Sequence, residues 1–286
     1  MFDRFLSTLS VVSRIPGPRF KFDPSRMDFY LPFTGLCPAL PGLLIFSGFS
    51  FLFKNPAPAG IPALTVVLVL IVQYLGFNLF HLDGLMDTAD AFLGSANREK
   101  RLAILKDSRA GVYGFFAGFA ALGLKAVLLY SLFPFARDFP ALVFAYPLWG
   151  RFSAALVPCM VKPLNPGGLG ALLKDARPRR CFGGVVLALL LWALLVWCLL
   201  RAAAFAGLPQ FAIPQLAGSN SHLSIITAAL SLFAVCPFTA LFYARLYGKS
   251  LGGYTGDALG AAIETAELLC MTAALAALQT AVYIPG

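Results

Sequence analysis

What most limits the fold of this chain is a series of apolar runs, each about 20 residues long, the length at which a helix crosses a bilayer. In hydrocarbon every backbone N–H and C=O must be satisfied internally, so such runs are read as helices. Spans are expected near 31–53, 61–82, 112–133, 140–160, 182–206, 222–244 and 257–283. Asn55-Pro56, Phe133-Pro134, Pro163 to Gly168 and Gly252-Gly253 punctuate the gaps. The expected fold is all-α: a polytopic integral membrane protein of about seven transmembrane helices forming a single domain over 1–286. Composition agrees, because only 12% of residues are charged, against about 25% in soluble domains. No internal repeat is evident.

Phe2, Phe5, Leu6, Leu9 and Val12 fall on one helical face, with Asp3, Arg4, Ser7 and Ser10 elsewhere. The segment 1–30 is therefore expected to hold a short helix lying in the membrane interface. Asp3 and Arg4 come too early for a cleavable signal. The six cysteines stand singly, without CxxC or Cys/His pairing, and read as small buried apolar residues without disulfide or zinc.

Lysines and arginines set the orientation. The segment before the first span holds five: Arg4, Arg14, Arg19, Lys21 and Arg26. The loops 83–111 and 161–181 also hold five each, and the last loop holds Arg245 and Lys249. The alternate loops hold one each (Lys54, Arg137, Arg201), and the C-terminal tail holds none. This alternation puts the N-terminus in the cytoplasm and supports the span count independently. The net charge of +9 thus gathers on one face, where it serves topology and contact with anionic lipid or steers anionic substrates. With no soluble basic domain, nucleic-acid binding is not expected.

The acidic residues are few and clustered. Asp83, Asp87 and Asp90 sit at i, i+4 and i+7, one face of a helix at the end of the second span. Stacked like charges repel, and a divalent cation with its preference for oxygen ligands is the usual reason to tolerate them; a helix cap or solvated turn is the plainer alternative. Asp257, Glu264 and Glu267 form a second stripe on the last span. Glu264 lies about 10 Å along the helix from Asp257, so it must face a polar cavity, be protonated or meet a cation. Both stripes start at expected cytoplasmic ends, which points to one cavity open to the cytoplasm.

Basic and glycine-rich segments complete the pattern. Lys106-Asp107-Ser108-Arg109-Ala-Gly111 offers a guanidinium fork, an ammonium and a hydroxyl to phosphate oxygens, while Gly111, Gly114 and Gly118 serve either anion approach or helix packing. Gly252-Gly253-Tyr-Thr255-Gly-Asp257 is a Gly-rich turn before a helix N-terminus, a natural though common anion site. Lys125 and Arg151 are charges inside spans, there to neutralise carboxylates or, for Arg151, to reach a phosphate. His81 abuts Asp83, either orienting a carboxylate, moving a proton or making a helix-end hydrogen bond. Arg14 is a cytoplasmic base or a lipid-facing anchor.

His81-Leu-Asp83-Gly84-Leu-Met-Asp87-Thr-Ala-Asp90 closely resembles the HLDGLxDTxD signature of the cobalamin synthase family, the adenosylcobinamide-GDP ribazoletransferases. Lys106 to Gly111 resembles that family's K/R-D-S-R-x-G motif, and Gly252 to Glu264 its GGxTGDxLGAxxE motif. Arg14-Ile-Pro16 is similar to its N-terminal R-x-P, Lys125 and Arg151 fall at its span-3 Lys and span-4 Arg, and Gly168-Leu-Gly170 matches its Gly-Leu-Gly loop. One departure is Phe92, where a glycine-rich stretch is expected.

The resemblance implies a magnesium-dependent enzyme of the prokaryotic cytoplasmic membrane, its active site facing the cytoplasm. It would join adenosylcobinamide-GDP to α-ribazole or its 5′-phosphate and release GMP. Mg²⁺ would be held by Asp83, Asp87 and Asp90, completed by Asp257 or Glu264. Asp90 or Glu264 is the expected general base. Arg14, His81, Lys106, Asp107, Ser108, Arg109, Lys125, Arg151, Gly252, Gly253 and Thr255 are expected at the substrates. Membrane lipid is a partner, and a homo-oligomer is left open. The nearest alternative is a CDP-alcohol phosphotransferase of lipid synthesis, but Asp83-Gly84 is not followed by that class's Ala-Arg pair. A transporter would show an inverted repeat and charges facing both sides.

Overall fold

The computed structural model describes residues 2–13, 15, 18–52, 60–205 and 219–283, the side chains of 50–51, 219–230 and 281–283 excepted. The helices are α1 (Phe2–Val12), α2 (Met27–Thr34), α3 (Leu36–Leu52), α4 (Ile61–Gln73), α5 (Leu79–Gly94) and α6 (Arg98–Ile104). They continue with α7 (Val112–Leu132), α8 (Pro140–Val143), α9 (Tyr146–Leu156), α10 (Pro178–Phe205), α11 (Ser219–Leu251) and α12 (Gly256–Tyr283). Among the described residues the extended structure is one bridge between Pro163 and Tyr254.

Six described helical segments are long and apolar enough to cross a membrane: Met27–Phe49, Ile61–Gly94, Val112–Phe135, Pro140–Cys159, Pro178–Phe205 and Gly256–Thr280. They coincide with six of the seven expected spans. The seventh, 222–244, lies within the 33-residue α11, whose first side chains are outside the described set.

One local expectation needs correction. The segment 83–111 is not one loop. A π-helical turn, Tyr74–Asn78, joins α4 to α5, and helix continues to Gly94, so the acidic motif stands on a helix, as its i, i+4, i+7 spacing predicts. No proline breaks residues 79–94, and the Thr88 hydroxyl bonds back to the Gly84 carbonyl at 2.6 Å instead of competing for the ladder. Helix α1 forms over Phe2–Val12 as the one-faced apolar spacing predicts, and it docks on the body with Leu6, Ser7 and Thr8 buried. Its hydroxyls are spent locally, Ser7 donating to Asp3 O and Thr8 to Arg4 O, so the face with small polar residues buries without unpaired donors.

Helix α9 is the centre, every residue from Tyr146 to Leu156 being buried. Helix α12 packs against α9, α5, α11 and α7. The segments rich in lysine and arginine meet at one end. Arg98 donates to Leu251 O, Leu164 N to Tyr254 O and Tyr254 N to Lys162 O, and Arg180 pairs with Asp28 at 2.8 Å. All six cysteines are free.

Candidate active site

The site is built where α5 crosses α12. A Cβ on Gly84 would lie 2.9 Å from the Asp257 carbonyl oxygen, and one on Gly260 would lie 2.9 Å from the His81 carbonyl oxygen. Only glycine at both positions lets the two backbones touch. That contact brings the first carboxylate stripe beside Asp257. Asp83 is exposed, Asp87 and Asp257 are half-buried, and Asp87 lies within electrostatic reach of Asp83, Asp257 and Asp90. Asp257 accepts a hydrogen bond from Thr255 Oγ1 at 3.0 Å.

Asp90 behaves differently. It is buried, and its two oxygens accept the backbone N–H groups of Gly111 (2.7 Å) and Gly114 (2.8 Å). These are orphan donors at the N-terminus of α7, whose own N-cap residue, Gly111, has no side chain to offer. A Cβ at either glycine would collide with the Asp90 carboxylate. The anion that Gly111 and Gly114 admit is thus the chain's own Asp90, 21 and 24 residues away. The contact pins the loop carrying Lys106, Ser108 and Arg109, all of which are exposed. Arg109 donates to Asp107 at 2.7 Å, and this bond holds the Asp107 carboxyl down at about 2.

Glu264 and Glu267 do not share the open end with Asp257. With Lys125 and Arg151 they form a sealed network in which each residue is at most 1% exposed. Lys125 Nζ lies 2.8 Å from Glu264 and 2.7 Å from Glu267, and Arg151 lies 3.1 Å from Glu267. Tyr74 donates to Glu264 at 2.6 Å, and Asn78 bridges both glutamates and Arg151. Two cations and two carboxylates cancel, which is the condition for burying charge at this depth. Lys125 and Arg151, expected at the substrates, are placed here, as is Glu264.

Gly252 and Gly253 form the turn ahead of α12. Gly252 has φ +88°, and a Cβ on Gly253 would lie 2.7 Å from Leu164 N, so this turn is clamped to the 162–170 loop. Tyr254 adds a hydrogen bond to Gly170 O at 2.8 Å. His81 is 2% exposed, and neither ring nitrogen has a partner. Arg14 lies outside the described residues. Among the described residues no three His, Cys, Asp or Glu side chains converge into a ready metal cage.

Residues 4–275 match the family described as cobalamin-5-phosphate synthase. The chain belongs to that family. Curated relatives named adenosylcobinamide-GDP ribazoletransferase include one from Fusobacterium nucleatum, 30% identical over 274 residues, covering 93% of this chain and 94% of its own length. Another, from Pseudomonas putida strain W619, is 33% identical over 267 residues, 93% of each chain. A third, from Leptothrix cholodnii, is 39% identical over 191 residues, 66% of this chain and 64% of its own. No solved structure matches.

In this member of the cobalamin-5-phosphate synthase family, several supporting residues lie outside the motifs. Tyr74 and Asn78 carry the buried network. Tyr247, fully buried, sets its hydroxyl 2.8 Å from Thr88 Oγ1. Phe92, where glycines were expected, packs at a tilt against Tyr247 with ring centroids 4.8 Å apart and takes the Arg101 guanidinium at 4.8 Å. The available signal was polarity: Gln73, Tyr74 and Asn78 interrupt an otherwise apolar span, and polar groups in a span need partners.

Proposed function

We propose that this chain transfers the cobinamide-phosphate group of adenosylcobinamide-GDP to α-ribazole or its 5′-phosphate, releasing GMP and forming adenosylcobalamin or its 5′-phosphate. The family match over residues 4–275 carries this reading. In the transfer, a ribose hydroxyl oxygen of the acceptor bonds to the phosphorus bearing cobinamide. The bond from that phosphorus to the GMP oxygen breaks, and the hydroxyl proton departs.

The donor set suits magnesium. Asp83, Asp87 and Asp257 offer oxygen alone at the open end of the α5–α12 crossing. Mg²⁺ keeps much of its water and takes one or two carboxylates plus substrate phosphates, so a ready three-ligand cage is not required. When bound there, the ion supplies charge neutralisation at the diphosphate and at the leaving GMP. Lys106 and Arg109 add positive charge from the loop docked by Asp90. Asp90 is committed to the α7 N-terminus and Glu264 to Lys125 and Tyr74. Whichever of Asp83 and Asp87 is not engaged by the ion is then the carboxylate able to take the hydroxyl proton. The site faces the cytoplasm, where the lysine- and arginine-rich segments gather.

The test is GMP release by purified, detergent-solubilised Asp83→Asn at saturating Mg²⁺. A loss of about 100-fold or more is expected; near-wild-type turnover refutes the assignment. CMP in place of GMP would reassign the chain to the CDP-alcohol phosphotransferases.

A further inference from the structure

Beside the acidic crossing lies a second feature, a cleft walled by Val11 and Val12 of α1, Leu31 of α2, Leu169, and Leu259 and Ile263 of α12. Among the described residues no Asp, Glu, Lys or Arg lines it, and His81 is their polar side chain there. The imidazole is almost fully buried, yet both ring nitrogens lack partners. A buried imidazole left unpaired costs free energy that a ligand's hydrogen bond would recover. The cleft adjoins the reaction centre, because His81 precedes Asp83 by two residues and Gly256, also in the lining, precedes Asp257.

We propose that this cleft receives a flat, uncharged heteroaromatic base with a ring-nitrogen acceptor, held by an N–H of His81. The inference rests on the transferase reading above, whose acceptor is a riboside of an alkylated benzimidazole. Guanine, the other base in that reaction, needs several polar partners, and the described lining offers one polar side chain. An acyl chain would leave both nitrogens unpaired. The cleft spans about 510 Å³ with its open mouth included, while its free interior is about 40 Å³. A bicyclic base therefore enters by displacing a wall. The wall to move is helix α1, which is held by the packing of Leu6, Ser7 and Thr8. Among the described residues its side-chain hydrogen bonds to the following segment run through Asp23 alone: Arg4 pairs with the Asp23 carboxylate at 2.9 Å and the Asp23 N–H bonds Ser7 Oγ at 2.8 Å.

The test uses the full chain in detergent, with His81→Leu and the cleft-filling Val12→Trp. GMP release is followed against two acceptors, the ribosides of 5,6-dimethylbenzimidazole and of indole, which lacks the ring-nitrogen acceptor. Wild type should favour the benzimidazole riboside. His81→Leu should raise its KM about tenfold, erase the preference over indole, and leave the donor KM unchanged. Val12→Trp should raise the KM for both acceptors and again spare the donor. An unchanged acceptor KM in both variants, or equal rises for donor and acceptor, overturns the proposal. Direct titration by benzimidazole fluorescence needs no turnover. Binding that depends on His81, with no GMP release by wild type, would sink the transferase reading and keep the cleft; binding indifferent to both substitutions sinks the cleft.

Discussion

Asp90 shows how one carboxylate in a motif can differ in task from its neighbours. Spacing puts Asp83, Asp87 and Asp90 on one face, yet only Asp90 reaches the N-terminus of α7, where it replaces the missing cap with two charge-assisted bonds. Asp90→Asn keeps the shape but exchanges an acceptor oxygen for a donor, so one N–H is left unpaired. Thermal unfolding in detergent should show a loss of about 1–2 kcal/mol. Activity should fall while the Mg²⁺ concentration for half-maximal rate stays at the wild-type value. A large shift in that concentration would make Asp90 a metal ligand instead. The acidic stripe was legible in the sequence because helical periodicity is local. Asp90's commitment was not, since its partners follow 21 and 24 residues later and meet it only after α7 folds back on α5.

At the scale of elements, the buried network joins four segments: the π turn Tyr74–Asn78, α7 through Lys125, α9 through Arg151 and α12 through its two glutamates. The pairing of Lys125 with carboxylates was readable, since an ammonium in a span requires a counter-charge. That Glu264 and Asp257 face different environments was not, because one helical stripe passes from an open end into a sealed interior within two turns. Removing one partner of a buried pair leaves an uncompensated charge, worth about 3–5 kcal/mol. Lys125→Met should therefore lose most of its folded population in detergent-phase unfolding. Adding Glu264→Gln should restore stability, because Arg151 still balances Glu267. Failure of the double variant to recover would show that the network is held by geometry more than by charge.

The whole molecule is polarised. Alternating lysine and arginine counts predicted which segments share a side, and contacts such as Arg98–Leu251 and Asp28–Arg180 bring those segments together. A cysteine at the exposed Ala96 should react with an impermeant thiol reagent in inside-out vesicles and resist it in intact cells, relative to the parent chain. Prompt labelling from outside would invert the topology. Apolar run length and punctuation placed five spans within a few residues of the helical segments and the start of a sixth, Ile61–Gly94, because hydrocarbon thickness dictates their length. The helix beyond the apolar run was legible as far as Asp90 in the spacing of its carboxylates, and only its last turn to Gly94 carried no such signal. The Gly84–Gly260 contact has a mechanical reading as well. Two rods bear on each other with no clearance, and the atoms in contact at Gly84 belong to the Asp257 backbone. The separation of the two acidic groups is therefore a machined dimension, set by main chain against main chain, and even a single methyl inserted there would act as a shim.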